Sequence, residues 1–237
     1  SIVTGCTVAQ SSGSGFLIGA QSTVRNSAAR ENTGTGISVG TGSAIADCTA
    51  ESNLGSAGIS AGFGCTISGC VARANTSSSN ISSGITVSGE STVTRCTVTN
   101  TATTAATLTN TTVEACTVQG SAGDGIRASS SCLIIANNCE GNGSFASGDG
   151  AGIHTTGGEN RIEGNTVTGA DRGIDVDGTG NFIIKNSARN NTTNYSIAAS
   201  NRYGPVIDIT ATGTAAVSGN SAADTSATTH PWANFAH

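Results

Sequence analysis

Residues 157–188 read GGENRIEGNTVTGADRGIDVDGTGNFIIKNSA and contain two copies of one short pattern. Ile162 and Asn165 return 21 positions later as Ile183 and Asn186, and in both copies a Val or Ala follows two residues after the Asn. Self-similarity at a fixed period above about 20 residues is typical of repeat architectures. The chain is therefore best interpreted in columns, with equivalent residues of successive repeats compared.

The pattern recurs along the whole chain as an apolar residue, two others, Cys or Asn, one other, and Val or Ala. Its Cys or Asn positions are Cys6, Cys48, Cys70, Cys96, Cys116, Asn137, Asn165, Asn186 and Asn220. One copy fits only as Val24, Asn26 and Ala28, which is one residue short. Alternate residues of a strand face the same side, so the step of three predicts a bend with its side chain directed inward.

Stacked repeats would turn these bend positions into a structural ladder. Strands of successive coils are expected about 4.8 Å apart, which brings equivalent side chains into contact. Stacked Asn amides then hydrogen-bond along the axis, whereas Cys behaves as a small apolar group. We predict free, buried thiols rather than disulfides, because parallel side-chain vectors are unsuited to disulfide geometry.

A second column pairs a Gly with an apolar residue, as in Gly36-Ile37, Gly152-Ile153 and Gly173-Ile174. Thr107-Leu108 and Ser196-Ile197 are assigned to the same position less cleanly. The Ile is predicted to point inward and the next residue outward. The predicted outward column is Leu17, Ser38, Ser60, Thr86, Thr109, Arg127, His154, Asp175 and Ala198.

The composition restricts the class of protein. Only 11% of the residues are charged, against about a quarter in most domains, and the few aromatic residues suit a narrow core. The net charge is −5, and no basic run stands out, which argues against nucleic acid as a partner. No stretch of about 18 consecutive apolar residues is present, so no membrane span is predicted.

These features predict an all-β protein, a single-stranded right-handed parallel β-helix of about ten coils with roughly 22 residues in each. Residues 1–200 would form the coils, and residues 201–237 the last coil and a C-terminal cap. Trp232 and Phe235 supply the bulk expected of a cap. The first coil has no comparable segment, so self-association through an uncapped N-terminal end is a further prediction.

The quoted stretch resembles the right-handed β-helix repeats of the pectin-lyase-like superfamily, including NosD-like periplasmic proteins. The segments NRYGPVIDI (201–209) and HPWANF (230–235) resemble the ending of uncharacterised secreted bacterial β-helix proteins. The resemblance covers residues 1–200 almost entirely and is specific for the fold. It implies an exported protein, secreted, periplasmic or at the cell surface, and it brings no activity with it.

One part of the outward column unites an acid, a base and a cation. Arg127, His154 and Asp175 are predicted on three adjacent coils and are the candidate catalytic residues. Asp177 lies two residues after Asp175. A lyase would use a base with cationic charge stabilisation, and a glycoside hydrolase would use two carboxylates. Asp124 is interpreted as a turn residue before Gly125.

The sequence DVDGTGN (175–181) offers a different chemistry. Its alternate oxygen-bearing side chains resemble part of a calcium loop, so Asp175 and Asp177 are candidate Ca²⁺ ligands. The plainest alternative is that these charges only keep an exposed face soluble. Apart from Ca²⁺, no cofactor is predicted.

Three functions remain open at this point. The first is a non-catalytic extracellular β-helix, structural or associated with a surface or with carbohydrate, and part of a larger secreted protein. The second is a polysaccharide lyase or glycoside hydrolase that acts on an acidic polysaccharide. The third is a self-assembling, fibre-forming solenoid.

Overall fold

The computed structural model describes residues 1–76, 83–99, 107–143, 150–208 and 231–236. Every strand pairing in these residues is parallel, and from β1 to β29 strands that are consecutive along the chain belong to different sheets. The chain therefore winds as a helix of coils with three faces, and the predicted right-handed parallel β-helix is confirmed. None of the described residues forms an apolar helix long enough to cross a membrane.

The first face is a ten-stranded sheet. Its strands are β1 (Ile2–Thr4), β4 (Thr23–Arg25), β7 (Ala44–Ala46), β10 (Thr66–Ser68), β13 (Thr92–Thr94), β16 (Thr112–Glu114), β19 (Leu133–Ile135), β22 (Arg161–Glu163), β25 (Phe182–Ile184) and β28 (Arg202–Tyr203). The central residue of each three-residue strand points into the core, and Ile45, Ile134 and Ile162 are fully buried there. Short strands with one inward residue suit the small side chains of this sequence.

The second face is an eleven-stranded sheet. In spatial order its strands are β2 (Thr7–Ala9), β5 (Ala28–Arg30), β8 (Thr49–Glu51), β11 (Val71–Arg73), β14 (Thr97–Thr99), β17 (Thr117–Gln119), β20 (Asn138–Glu140), β23 (Thr166–Thr168), β26 (Ser187–Arg189), β30 (Asn234–Ala236) and β29 (Val206–Asp208). At the end of this sheet the spatial order departs from the chain order, because β30 lies between β26 and β29.

The third face consists of a four-stranded and a five-stranded sheet. Their strands are β3 (Phe16–Ile18), β6 (Ile37–Val39), β9 (Ala57–Ala61) and β12 (Ser83–Val87), then β15 (Thr107–Leu108), β18 (Ile126–Ala128), β21 (Ala151–Thr155), β24 (Arg172–Val176) and β27 (Thr193–Ile197). The Gly of the Gly-Ile pairs lies where two parts of the backbone come close. A Cβ on Gly36 would lie 2.6 Å from the carbonyl oxygen of Gly58.

The register differs from the predicted one at both irregular repeats of this face. Leu108 pairs with Ala128, and Ile197 pairs with Val176, so both lie two residues after the Ile position. Tyr195 takes the Ile position instead, opposite Ile174. The predicted assignment failed because it followed the aliphatic residue, although pairing is determined by the whole strand.

The corner between the first two faces carries the predicted ladder. Asn137 Nδ2 donates to Asn165 Oδ1 at 3.0 Å, and Asn165 Nδ2 donates to Asn186 Oδ1 at the same distance. Asn137 also donates to the carbonyl of Val113, on the preceding coil. Cys116 Sγ lies 3.6 Å from the equivalent carbonyl of Val93, so the thiols occupy the same place as the amides.

Three details of this ladder differ from the prediction. Cys6 occupies the column, but its side chain is exposed because β2 has a neighbouring strand on one side only. Ser27 fills the position that was assigned to Asn26. Val24 pairs with Ile45, and Ser27 follows Val24 by the regular step of three residues. Asn234 stacks on Asn186 through Asn186 Nδ2, at 3.1 Å.

Asn220, which the sequence analysis assigned to that position, lies outside the described residues. Asn234 was missed because the residue three positions before it is Pro231 rather than an apolar strand residue. The remainder of the pattern is present, since Asn234 and Ala236 have the spacing of Asn186 and Ala188. The structure therefore continues the ladder with a different segment from the predicted one.

The other two corners carry ladders of their own. Their members are Asn32, Asn53 and Asn75 at one corner, and Asn160, Asn181 and Asn201 at the other. Asn32 Nδ2 donates to Asn53 Oδ1 at 2.8 Å, and Asn160 Nδ2 donates to Asn181 Oδ1 at 2.9 Å. Asn side chains at all three corners thus satisfy backbone groups in the coils that carry them.

The predicted cap residues lie beside the last coils. The ring of Trp232 packs edge-on against Phe182 of β25, with 6.2 Å between the ring centroids. Phe235 is the central residue of β30 and pairs with Ile207 of β29. Both aromatic side chains remain partly exposed. Phe235 stands between the buried Asn234 and Ala236, so it faces outward from the second face.

Candidate acid–base cluster on the third face

The structure brings Arg127, His154 and Asp175 together in one column. His154 in β21 pairs with Arg127 in β18 on one side and with Asp175 in β24 on the other. The column continues to Thr107 and Ser196. The sequence analysis had assigned these two positions to Thr109 and Ala198, a consequence of the same misplaced register.

His154 is held by carboxylates at both ring nitrogens. Its Nδ1 lies 2.9 Å from Asp124 Oδ2, and its Nε2 lies 3.0 Å from Asp177 Oδ2. A carboxylate accepts hydrogen bonds only, so both nitrogens donate when the ring is a protonated imidazolium. The hydrogen bond to Asp124 is the main cause that raises the pKa of His154 to about 9, against the opposing effect of burial.

Asp124 is the member of this cluster that sequence reasoning missed. It was interpreted as a turn residue before Gly125, yet it is buried and its Oδ1 accepts a hydrogen bond from the Ala151 backbone N–H at 2.9 Å. The signal for this role was the pairing of Gly125 with the Gly of the next repeat, which places Asp124 beside Ala151. A backbone donor thus fixes the carboxylate that orients His154.

Asp175 was predicted on an exposed surface, but its side chain is almost completely buried. The residue is 1% exposed. Arg172 Nη1 donates to its Oδ2 at 2.6 Å, an ion pair between residues three positions apart. Its Oδ1 accepts no hydrogen bond within the described residues. A buried carboxylate oxygen without a partner is energetically costly, so this atom requires an explanation.

Asp177 is the exposed acid of the cluster, with 61% of its side chain accessible. One ligand atom each from His154, Asp175 and Asp177 lies within 4.8 Å of the others, a separation that allows one metal ion to be shared. Arg127 borders the group, and its buried Nε has no hydrogen-bond partner in the described part of the chain. The cluster can therefore hold a cation or present paired charges to a ligand.

Comparison with known proteins agrees with the fold. Residues 1–112 match the family described as "Right handed beta helix region". No curated protein matches the sequence.

Several solved structures have a similar fold at low sequence identity. The A-module of mannuronan C-5 epimerase AlgE4 from Azotobacter vinelandii has 18% identity and a TM-score of 0.63, with 84% of this chain and 63% of that chain covered. The A-module of AlgE6 from the same organism has 15% identity and a TM-score of 0.57, with the same coverage.

The Dettilon tailspike protein has 12% identity and a TM-score of 0.56, with 99% of this chain and 59% of that chain covered. The chain thus spans less than two thirds of each of these structures. At such identities the similarity concerns the fold alone. The chain is a right-handed parallel β-helix, and its residues 1–112 carry the sequence signature of the right-handed β-helix region.

Proposed function

We propose that this protein is a non-catalytic β-helix that binds polysaccharide on its third face, outside the cell or at its surface. One observation carries the proposal. The acid–base groups of that face are already paired with each other, His154 with two carboxylates and the buried Asp175 with Arg172.

Pairing of this kind favours binding over turnover. A general base must be unprotonated and within reach of the substrate, whereas a pKa of about 9 keeps His154 protonated at neutral pH. Asp175 is buried and engaged by Arg172. Asp177 is exposed, but the second carboxylate within its reach, that of Asp175, is buried, whereas hydrolysis uses two carboxylates that both reach the substrate. Fixed polar groups that lose little entropy are instead suited to hold a ligand.

The neighbouring coils suggest the class of ligand. Ser38, Ser60 and Thr86 continue the same outward column as half-buried hydroxyl side chains. Hydroxyl and paired charged groups match the hydroxyl-rich surface of a sugar chain. Two proteins of similar fold are named for mannuronan, a polysaccharide, and a third is a phage tailspike. These names, with the resemblance to exported β-helix proteins, support an extracellular or surface location.

Binding can be measured by affinity electrophoresis in gels that contain alginate, pectin or a neutral glucan. Ser60→Arg would place a bulky side chain on the third face between Ser38 and Thr86, and we expect it to abolish the retardation. Thr117→Arg on β17 is the matched control, since it alters the outward side of the second face and should bind normally. An absence of binding across the panel, or equal binding by both variants, would contradict the proposal.

An enzyme that acts on polysaccharide is the second candidate. The observation in its favour is that Arg127, His154 and Asp175 are in register on three adjacent coils. Acidic polysaccharides should be incubated with the protein, with and without Ca²⁺, and followed by ultraviolet absorbance of unsaturated products and by a reducing-end assay. Products that disappear in His154→Gln would establish turnover and overturn the non-catalytic proposal.

Self-assembly into fibres is the third candidate. Ile2 and Leu17 are exposed large apolar residues on the first coil, and exposed apolar side chains can pack against another molecule. Light scattering at rising protein concentration measures the particle mass. A mass that stays at that of the monomer excludes this candidate, and a mass that grows without limit supports it.

A further inference from the structure

The ligand atoms gathered around His154 are held by paired strands. His154 lies in β21 and Asp175 in the adjacent β24, and Asp177 follows directly after β24. The pairing of β21 with β24 fixes these backbones relative to one another. One ligand atom from each side chain lies within 4.8 Å of the others. The three side chains thus converge without any rearrangement of the fold.

The buried carboxylate of Asp175 is the second, independent observation. The residue is 99% buried, and Arg172 engages only its Oδ2. Oδ1 has no hydrogen-bond partner among the described residues. A buried anionic oxygen is stable when a cation or a donor reaches it. A cation that Asp175 binds through Oδ1, between His154 and Asp177, would satisfy this atom.

His154 is surrounded as metal-binding histidines usually are, with a carboxylate that orients the imidazole ring. Metal-binding histidines usually give their second ring N–H to a carboxylate, which fixes the tautomer and the ring orientation. Here Nδ1 is directed at Asp124, itself anchored by the Ala151 N–H. Nε2 is consequently the nitrogen that faces Asp177.

We propose that His154 Nε2, Asp175 and Asp177 form a site for a divalent transition metal such as Zn²⁺. When the metal binds, the proton on Nε2 leaves to solvent and the metal takes its place between the imidazole and the carboxylates. Imidazole nitrogen suits zinc and its neighbours, whereas calcium selects six to eight oxygen ligands. Inclusion of His154 therefore changes the cation from the Ca²⁺ that the sequence suggested.

The charges around the site permit a divalent ion. The carboxylates of Asp124, Asp175 and Asp177 face it, opposed by Arg172 and by Arg127 on the adjacent coil. With neutral imidazole these groups sum to one negative charge. The metal site goes beyond the proposed polysaccharide binding. Polysaccharide binding can be measured in the presence of a chelator, so the two proposals succeed or fail separately.

The test is titration of untagged, chelator-treated protein with Zn²⁺ in a calorimeter, in a Cys6→Ser background that removes the exposed thiol. We expect one site and a rise in melting temperature with Zn²⁺. Asp177→Asn should weaken binding at least about 10–100-fold. Because Asp177 is exposed, this variant should retain the fold, which circular dichroism verifies. Asp47→Asn, an exposed aspartate at another corner, should bind as the parent does.

A supporting variant tests the proposed geometry. Asp124→Asn retains all three ligands but weakens the orientation of His154, so we expect affinity to fall about 10–100-fold. Three results would overturn the proposal: no Zn²⁺ binding by the parent protein, equal affinity in the parent and Asp177→Asn, or tighter binding of Ca²⁺ than of Zn²⁺.

Discussion

The side-chain amide Nδ2 of Asn186 donates a hydrogen bond to Oδ1 of Asn234 at 3.1 Å, although 48 positions separate the two residues. The backbone N–H of Asn186 donates to the same oxygen at 3.0 Å. Asn234 in turn donates through Nδ2 to the carbonyl of Ile183. A distant segment of the chain thus continues the ladder by the same bonds that link successive coils.

Asn234→Ala should destabilise the C-terminal end of the solenoid by about 1–3 kcal/mol, since it leaves two buried donors of Asn186 without an acceptor. The change is measured as a fall in melting temperature and as faster amide exchange in β26. Asn138→Ala is the control, because Asn138 is exposed in β20 of the same sheet. Equal falls in melting temperature for both substitutions would contradict a stabilising role of the hydrogen bonds between Asn186 and Asn234.

Cys116→Asn should leave the melting temperature unchanged or raise it. An Asn there can donate to the carbonyl of Val93, which the thiol now approaches at 3.6 Å, and to Oδ1 of Asn137. Cys116→Val removes the donor, and thermal denaturation should show it to be the less stable variant. A lower melting temperature for the Asn variant than for the Val variant would contradict the equivalence of the two side chains.

His154 should make stability depend on pH in the presence of a chelator. Its pKa is raised from 6.5 to about 9 in the folded protein, so its contribution is complete below pH 6.5 and is lost as the pH rises through 9. The contribution is roughly 3 kcal/mol at most. The charged groups around it are Asp124, Asp177, Asp175, Arg172 and Arg127.

The measurement is the difference in melting temperature between the parent and His154→Gln across pH 6–10. We expect a large difference at pH 6 that shrinks towards pH 10. A difference that is constant with pH, or that grows, would mean that the ring is not protonated in the folded state.

Cys6 should be the one thiol that reacts rapidly with a thiol reagent in the native protein. The other seven cysteines are buried, and burial raises the pKa of Cys139 and so suppresses its reactive thiolate. Cys6→Ser should abolish the rapid phase. All eight thiols should react in denaturant, and a smaller number there would reveal disulfides.

The fold could be predicted because each coil repeats the same inward residues. Ile162 and Ile183 define the first face in the sequence, and they pair as expected in the structure. The register was wrong where the repeat itself was weak, at Leu108 and Ile197. In those coils the aliphatic residue lies two positions after the expected one. The backbone pairing of the whole strand, and not the position of the aliphatic residue, determines the register there.

The cluster could be predicted only in part. The column of Arg127, His154 and Asp175 follows from counting residues between repeats. The burial of Asp175 and the contact between Asp124 and His154 do not follow from it, because both depend on side-chain directions across neighbouring coils. Whether the three candidate residues take part in catalysis stays a prediction.

The position of β30 between β26 and β29 has a consequence for the order of folding. Each earlier coil can add to the one before it as soon as it leaves the ribosome, since its partner strand is already present. β29 has no such partner until residues 234–236 arrive. We expect a nascent chain released at residue 208 to be rigid through its earlier coils and to leave its final turn unformed.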